Sequence, residues 1–507
     1  MFRPTRITIL RSGLSFVFLT IFLMAASLPV FTQVKQRNGT VESFRKAIEL
    51  TESALREVQN GNPSGRSRRI FWKAEGRSDI SARLQGLTHE NPDFVEYTES
   101  FGIDPVNNAV FYEYDTKVNH DASETIRFVY DGDGQLLVAN PVEKWALWAG
   151  GPDTETQKNS YQRMLPQALL EEALQNRRTL RYNGKLRLGE EQVDVATFSL
   201  RDSQAISLLF SSKDGSYRGL EYLIDHPMLG DTAVRWVFDD FRDLKGFGLL
   251  PYKYEIFLGS RLLKSMKITE VRTGFDVSGF LSSSDDLKIP DRPSEKRTEA
   301  DSRKKPAIPV EKIDEGVYLV RNIRGGFHVL VVEFEESLLI VDAPAGYHEL
   351  QQIPASDWAG AKKSSEVGER LLNVLKNRFP KKPVKYVALT HHHGDHAGGI
   401  HPFIKAGATI VASRETIEAV ENSLKRSFRL DSSEPLPGTD FKRQYVSDKS
   451  RIKEADVVVE LRNVGKNPHS EGMVVVYLPR QKLLYQSDLF EPFREDAEPS
   501  ASRLPVM

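Results

Sequence analysis

The chain of 507 residues contains no cysteine. This absence excludes disulfide bonds, thiolate metal ligands, cysteine nucleophiles and a lipid attached to an N-terminal cysteine. Any bound metal must therefore be held by nitrogen and oxygen atoms. A chain without thiols also suits an oxidising compartment, such as the bacterial periplasm or the cell exterior.

An excess of charge of one sign is also lacking, because 69 basic residues are balanced by 70 acidic ones and the net charge is −1. Nucleic acids and anionic membrane surfaces select proteins with an excess of basic residues. We therefore expect no nucleic-acid partner and no membrane partner beyond a possible N-terminal anchor. The expected partner is a small-molecule substrate. The oligomeric state stays open at this point.

The first 32 residues have the composition of an export signal. Three arginines precede an apolar run from Leu14 to Met24, and small residues follow that run. A basic start, an apolar core and small residues predict a signal peptide over residues 1–32 and a periplasmic or secreted protein of the bacterial envelope. The alternative is an uncleaved N-terminal membrane anchor, since the apolar stretch is nearly long enough to span a bilayer.

Residues 33–284 have the texture of a mainly antiparallel β domain. Short runs of alternating apolar and polar residues are separated by turn signals such as Asp131–Gly134, a pattern that predicts hairpins. Apolar positions at helical spacing predict one helix between Thr40 and Val58 and another between Tyr161 and Asn176. No catalytic spacing is present here, so the role of this domain stays unknown.

A stretch rich in serine, proline and charge, residues 285–310, is predicted to be a linker. Beyond it, residues 311–507 contain strands rich in valine, isoleucine and leucine that alternate with helical patterns. The predicted helices cover residues 366–379, 400–406 and 414–426. This alternation predicts an α/β layered domain.

Four of the chain's 11 histidines lie within residues 391–396, together with one aspartate. The run follows an apolar strand predicted to end at Thr390 and precedes a helix predicted to begin near Gly398. It therefore lies at the carboxyl end of a strand, where α/β folds bind ligands. Buried imidazoles and a carboxylate cost desolvation energy unless they are paired or bind a metal.

The spacing within the run predicts two neighbouring cation positions. His391 and His393 alternate along the chain and can point the same way, whereas Asp395 and His396 turn toward a second point. Imidazole and carboxylate without sulfur form a zinc-type ligand set, with which iron and manganese are also compatible.

The order His-x-His-x-Asp-His resembles the signature of the metallo-β-lactamase-fold hydrolases, and the resemblance covers residues 311–507. It implies an αβ/βα sandwich, here preceded by the β domain. Within "NPHSEGMVVVYLP", His469 resembles the family's third histidine ligand. Within "KLLYQSDLFEP", Asp488 resembles its metal-bridging aspartate, and within "SLLIVDAPAG", Asp342 resembles a buried aspartate that supports the ligand loop.

By this resemblance, a first metal is held by His391, His393 and His469. A second metal is held by Asp395 and His396, and Asp488 lies between the two. A bound zinc lowers the pKa of water to about 7 and polarises a carbonyl oxygen. The resulting hydroxide would attack the substrate carbonyl, while Asp395, the expected catalytic residue, would orient it and pass its proton to the leaving group.

One departure from the family concerns its last histidine ligand, which a later strand normally supplies to the second metal. No histidine follows His469 in this chain. We therefore expect the final strand-helix unit to be missing. A shortened copy, a weak second metal site and a one-metal protein all agree with this pattern. We expect close to one tightly bound zinc per chain, with a second acquired only in excess metal.

Three functions compete. The first is an exported zinc-dependent hydrolase that acts on an ester, thioester, lactone or lactam carbonyl. The second is a class B-like β-lactamase. Asp488 disfavours this function, because a ligand set that includes Asp488 resembles the branch of the family that acts on thioesters and lactones. The third is a catalytically impaired metal-binding envelope protein whose working part is the β domain.

Overall fold

The structure is a computed structural model that describes residues 39–63, 69–79, 92–117, 123–148, 154, 158, 161–200, 205–282, 287–293, 308–324, 327–345, 365–430, 438–467 and 469–489. The helices of these residues are α1 (Gly39–Gln59), α2 (Pro166–Gln175), α3 (Glu366–Arg378), α4 (Gly394–Ala397), α5 (His401–Lys405) and α6 (Arg414–Leu424). Two short 3-10 turns cover Arg177–Thr179 and Val277–Leu281.

Thirteen strands belong to one sheet, the N-terminal sheet: β1 (Ile70–Asp79), β2 (Phe94–Asp104), β3 (Ala109–Lys117), β4 (Ser123–Tyr130), β5 (Leu136–Asn140), β6 (Trp145–Trp148), β7 (Arg181–Leu188), β8 (Glu191–Ser199), β9 (Ala205–Ser211), β10 (Tyr217–His226), β11 (Gly230–Leu244), β12 (Gly248–Leu258) and β13 (Arg261–Thr273). Their order in the sheet is 6-5-4-3-2-1-13-12-11-10-9-8-7. Neighbouring strands in the sheet are consecutive in the chain, except that β1 pairs antiparallel with β13, and β6 and β7 lie at the two opposite edges. This meander confirms the predicted antiparallel β architecture.

The N-terminal sheet buries one face under α1 and α2. Helix α1 contributes Ala47 and Ala54 to the core, and α2 contributes Leu169 and Leu170. Small and aliphatic residues at helical spacing let both helices lie close to the aromatic interior of the sheet. The same spacing correctly predicts the two helices.

Helix α2 begins later than predicted. The pattern indicates one helix from Tyr161, but Tyr161 and Gln162 are helical, residues 163–165 form a turn, and α2 begins at Pro166. Proline has no backbone N–H and disfavours helical geometry in the residue before it, so it starts a helix rather than continuing one.

Two further sheets follow. The second sheet contains β14 (Val310–Asp314), β15 (Val317–Arg324), β16 (Phe327–Glu333), β17 (Leu338–Val341), β18 (Val384–Ala388), β19 (Thr409–Ala412) and β20 (Arg443–Tyr445), in that spatial order. The third sheet contains β21 (Lys449–Glu454), β22 (Val457–Gly465), β23 (Met473–Leu478) and β24 (Leu483–Tyr485).

The second sheet lies between helices and the third sheet. Its residues Val331 and Ile340 share a core with helix residues such as Leu371, while its Leu339 shares a core with Val459 of the third sheet. Alternation along each strand thus supplies both layers. The layered α/β arrangement predicted for this part is confirmed.

Three parallel strands position the histidine run. β17, β18 and β19 run parallel, so their carboxyl ends meet at one edge of the sheet. The residue after β17 is Asp342, and the histidine run follows β18. The helix predicted to follow the run, over residues 400–406, is present as α5 (His401–Lys405), whereas the short helix α4 (Gly394–Ala397), which lies inside the run, was not predicted.

Several predictions fall outside the described residues. The signal peptide, most of the linker and the chain after residue 489 are among them, and the domain boundaries stay predictions. Residues 287–293 of the predicted linker do contact the N-terminal sheet, where Arg292 forms salt bridges with Asp131 and Asp133. Within the described part of the chain, no helix is both long and apolar enough to cross a membrane.

Candidate metal centre

Asp342 connects the end of β17 to the histidine run. Its backbone lies in the left-handed region with φ 70°, a strained geometry that functional sites often retain. The buried carboxylate accepts hydrogen bonds from the backbone N–H of Thr390 at 2.8 Å and from the Thr390 hydroxyl at 2.9 Å. His396 Nδ1 lies 2.9 Å from its other oxygen. Since a carboxylate only accepts, Nδ1 carries the proton and Nε2 points away from Asp342.

The first cluster consists of side chains from three places in the chain. The ring centroids of His391 and His393 are 4.4 Å apart, and each lies within 5 Å of the ring of His469. His469 belongs to the turn between β22 and β23, and its Nε2 lies 3.2 Å from His391 Nε2. His391, His393, His469 and Asp488 each offer one ligand atom within 4.8 Å of the others.

The second cluster shares Asp488 with the first. Asp395, His396 and Asp488 also offer ligand atoms within 4.8 Å of one another. Asp488 Oδ2 lies 3.1 Å from His396 Nε2 and 3.1 Å from His469 Nε2. The backbone of Asp488 is left-handed as well, with φ 57°. The predicted site residues are therefore brought together, with Asp488 between the two clusters.

Burial and neighbouring charge divide the histidines. Burial lowers the pKa of His391 and of His393 well below the usual value, and the neighbouring histidines add to the effect. Burial also opposes protonation of His396, but the carboxylates of Asp488, Asp395 and Asp342 outweigh it and raise its pKa. The pKa of Asp488 is lowered: burial acts against this change, and His396 and His469 outweigh burial.

The side chains fit a divalent cation. Buried His396 Nε2 has no hydrogen-bond partner among the described residues, although a carboxylate lies close by. The facing Nε2 atoms of His391 and His469 could share at most one proton between them. A cation between these atoms would satisfy nitrogen lone pairs and carboxylates together. Nitrogen and oxygen donors without sulfur are compatible with zinc, iron and manganese.

The other histidines that the structure describes belong to neither cluster. His392 is buried beside His393 with ring centroids 4.9 Å apart, but it belongs to neither cluster. His401 packs edge-on against Phe428 at 5.0 Å. The Nδ1 atom of His328 accepts a hydrogen bond from a backbone N–H. His348 lies outside the described residues.

Sequence reasoning missed Thr390 and Ser487. The Thr390 hydroxyl lies 3.1 Å from His391 Nδ1 and accepts a hydrogen bond from the Ser487 hydroxyl at 2.6 Å. It thereby links the Asp342 carboxylate to the first cluster. The available signal was position: each hydroxyl residue directly precedes a predicted ligand.

The comparisons with known proteins agree with this geometry. The family model of the metallo-beta-lactamase superfamily matches residues 328–503. This part of the chain is a metallo-β-lactamase superfamily domain. The fold class inferred from the histidine run is thereby confirmed, and the superfamily is mostly hydrolytic.

Individual relatives are more distant. The chain is 29% identical to the 2,4-dinitroanisole O-demethylase subunit alpha of Nocardioides sp. (strain JS1661) over 114 residues, which is 22% of this chain and 31% of that protein. The match thus spans about a third of that relative. A metallo-beta-lactamase from Pontibacter korlensis is 25% identical, with a TM-score of 0.26, over 37% of this chain and 74% of that structure. The flavodiiron protein from Giardia intestinalis is 17% identical, with a TM-score of 0.26, over 37% and 42% of the two chains.

Proposed function

We propose that the chain is an exported metal-dependent hydrolase that cleaves an ester, thioester, lactone or lactam, with zinc as its metal. The observation that carries this proposal is the convergence of two clusters of histidine and aspartate on one carboxylate, Asp488. Export rests on the basic and apolar first residues and on the absence of cysteine.

The donor atoms have defined roles in this proposal. His391, His393 and His469 would hold one cation, and Asp395 and His396 a second, with Asp488 shared. A bound zinc would supply Lewis acidity and a water of lowered pKa. Asp342 fixes the tautomer of His396, because it accepts the Nδ1 proton and leaves the Nε2 lone pair facing the cluster.

Asp395 is the proposed catalytic residue. It lies in the first turn of α4, is 9% exposed, and places one carboxylate oxygen 3.9 Å from His396 Nε2. A carboxylate at the rim of the two clusters can accept a proton from the attacking water. It can then return that proton to the leaving group without any serine or cysteine nucleophile.

The experiment is a substrate panel with the purified full chain: an aryl ester, a thioester, a lactone and a β-lactam. Removal of metal with a chelator should abolish turnover, and added zinc should restore it. Asp395→Asn should lower kcat by about 100-fold or more, whereas Asp456→Asn, in an exposed turn of the third sheet, should not. Absence of metal-dependent turnover on every member would contradict the proposal.

A second candidate comes from the demethylase relative, whose name specifies removal of a methyl group from an aryl ether. Adding 2,4-dinitroanisole to the panel tests it directly. Release of dinitrophenol without cleavage of any carbonyl substrate would favour this candidate over the hydrolase. The β-lactam member of the panel decides the β-lactamase alternative in the same assay.

A further inference from the structure

A turn of the N-terminal sheet packs beside the metal centre. Strands β10 and β11 are joined at residues 226–230, here called the docking turn. Its Met228 is 7% exposed and belongs to the hydrophobic core on the helix side of the second sheet, with Ala397 and Ile400. Ala397 is the last residue of α4, the helix that carries Asp395. A side chain of one sheet is thus part of the other core.

The contact with α4 is close-packed. A Cβ atom placed on Gly398, directly after α4, would lie 2.6 Å from Pro227 Cβ and 2.7 Å from Ala345 Cβ. Only a glycine leaves room for the docking turn on one side and the segment after β17 on the other. That segment also holds α4 through hydrogen bonds from Ala343 N to His396 O at 2.8 Å and from Gly399 N to Ala343 O at 2.8 Å.

The docking turn is internally braced. The Nδ1 atom of buried His226 accepts hydrogen bonds from the backbone N–H groups of Met228 at 3.1 Å and Leu229 at 3.0 Å. The hydroxyl of Thr232 donates to the carbonyl of Gly230 at 2.9 Å. A turn held in this way transmits the position of its sheet rather than yielding to a neighbour.

A second anchor follows at once in the sequence. The carboxylate of Asp231 accepts hydrogen bonds from the Ser427 hydroxyl at 2.6 Å and from the backbone N–H groups of Arg429 and Leu430, both at 2.8 Å. Its own backbone N–H donates to the Ser427 carbonyl at 2.6 Å. Four hydrogen bonds therefore attach the start of β11 to the segment after α6.

We propose that the docking turn is a positioning element of the metal centre. Clamped between Pro227 and the segment after β17, α4 holds Asp395 and His396 at a fixed distance from Asp488. The N-terminal sheet is then part of the working unit and not an independent module. This inference rests on the proposed function only in that a cation binds at the two clusters.

Asp231→Ala in the full chain tests the inference, because it removes three acceptor contacts without touching α4. The matched control is Asp214→Ala, which removes an aspartate that accepts hydrogen bonds from the backbone N–H and the hydroxyl of Ser216 within the turn between β9 and β10. Zinc affinity is measured by competition with a chromophoric chelator, and local opening by amide hydrogen exchange over residues 394–400. Asp231→Asn, which keeps an acceptor oxygen, is the rescue variant.

We expect Asp231→Ala to weaken zinc binding about tenfold and to accelerate exchange over residues 394–400, with partial recovery in Asp231→Asn and no change in Asp214→Ala. Wild-type affinity and exchange in Asp231→Ala would overturn the inference, as would equal losses in Asp214→Ala. If the wild-type chain binds no zinc, the proposed function fails. Hydrogen exchange alone then decides: acceleration in Asp231→Ala supports the positioning role, and unchanged exchange overturns it.

Discussion

Replacing Asp342 by asparagine should weaken metal binding without removing any ligand. The amide oxygen can still accept the hydrogen bond from Thr390 N, now made at 2.8 Å. The amide nitrogen then faces His396 Nδ1 in place of the carboxylate oxygen, which lies 2.9 Å away. Two donors cannot share that contact, so His396 must move its proton to Nε2, the atom needed for the metal.

The expected magnitude follows from this tautomer change. Loss of the residue that orients a metal-bound histidine typically lowers metal affinity by about 10- to 100-fold, or about 1.4–2.7 kcal/mol. The metal-free protein should lose about 1.5–3 kcal/mol of unfolding free energy, the usual value for one charged hydrogen bond. Zinc affinity by chelator competition and urea unfolding of the metal-free protein measure the two effects separately.

Asp104→Asn is the matched control. Asp104 is also a buried aspartate with several hydrogen bonds, which it accepts from Val106 N at 3.1 Å, from Asn107 N at 3.0 Å and from Arg69 Nε at 3.0 Å. It lies in the N-terminal sheet, so its loss should reduce stability and leave zinc affinity unchanged. Equal zinc affinities in wild type and Asp342→Asn, or an equal loss in both variants, would refute the tautomer argument.

Three further predictions concern stability. Burial and nearby Lys405 lower the pKa of His401 to about 4 from an unfolded value of 6.5. The contribution of neutral His401 to the unfolding free energy is therefore complete above pH 6.5 and declines by about 3 kcal/mol toward pH 4. Urea unfolding across this pH range should show a shallower decline in His401→Gln than in wild type. Lys264→Met leaves Glu99 buried and without the lysine 3.0 Å away, so thermal and urea unfolding should report a loss of about 3–5 kcal/mol of unfolding free energy. Adding Glu99→Gln should recover part of that loss, and no recovery would contradict the ion-pair argument. In Gly368→Ala a Cβ would lie 2.1 Å from a backbone oxygen across the contact of α3 with the loop after α4, so unfolding free energy should fall, whereas Gly39→Ala, which meets no atom within 4 Å, should leave it unchanged or raise it.

Local patterns predict the parts of the site that are local in sequence. The run His391–His396 carries four donors in six positions, and the strand before it fixes its place at the sheet edge. His469 and Asp488 could be placed because the motifs around them, each beside an apolar strand, resemble those of the family. Secondary structure follows the same rule, since the periodic helices and strands appear near their predicted positions.

Other features depend on contacts between distant residues and leave no local signal. The hydrogen bond of Asp231 with Leu430 joins residues 199 positions apart, and no periodicity indicates that pairing. The contacts of Asp342 with Thr390 and His396 join residues 48 and 54 positions apart, and no local pattern indicates its left-handed backbone. The position of α4 within the run likewise leaves no local signal, because four residues are too few for helical periodicity to show.

The most direct test of the metal centre is the metal content of purified, dialysed protein in the adjacent pair His393→Gln and His392→Gln. Both histidines are buried, but only His393 belongs to a cluster. Elemental analysis should find about one or more zinc ions per chain in wild type and in His392→Gln, and a large loss in folded His393→Gln. Equal metal content in the two variants, or no zinc in folded wild-type protein, would contradict the assignment of this site as a metal centre.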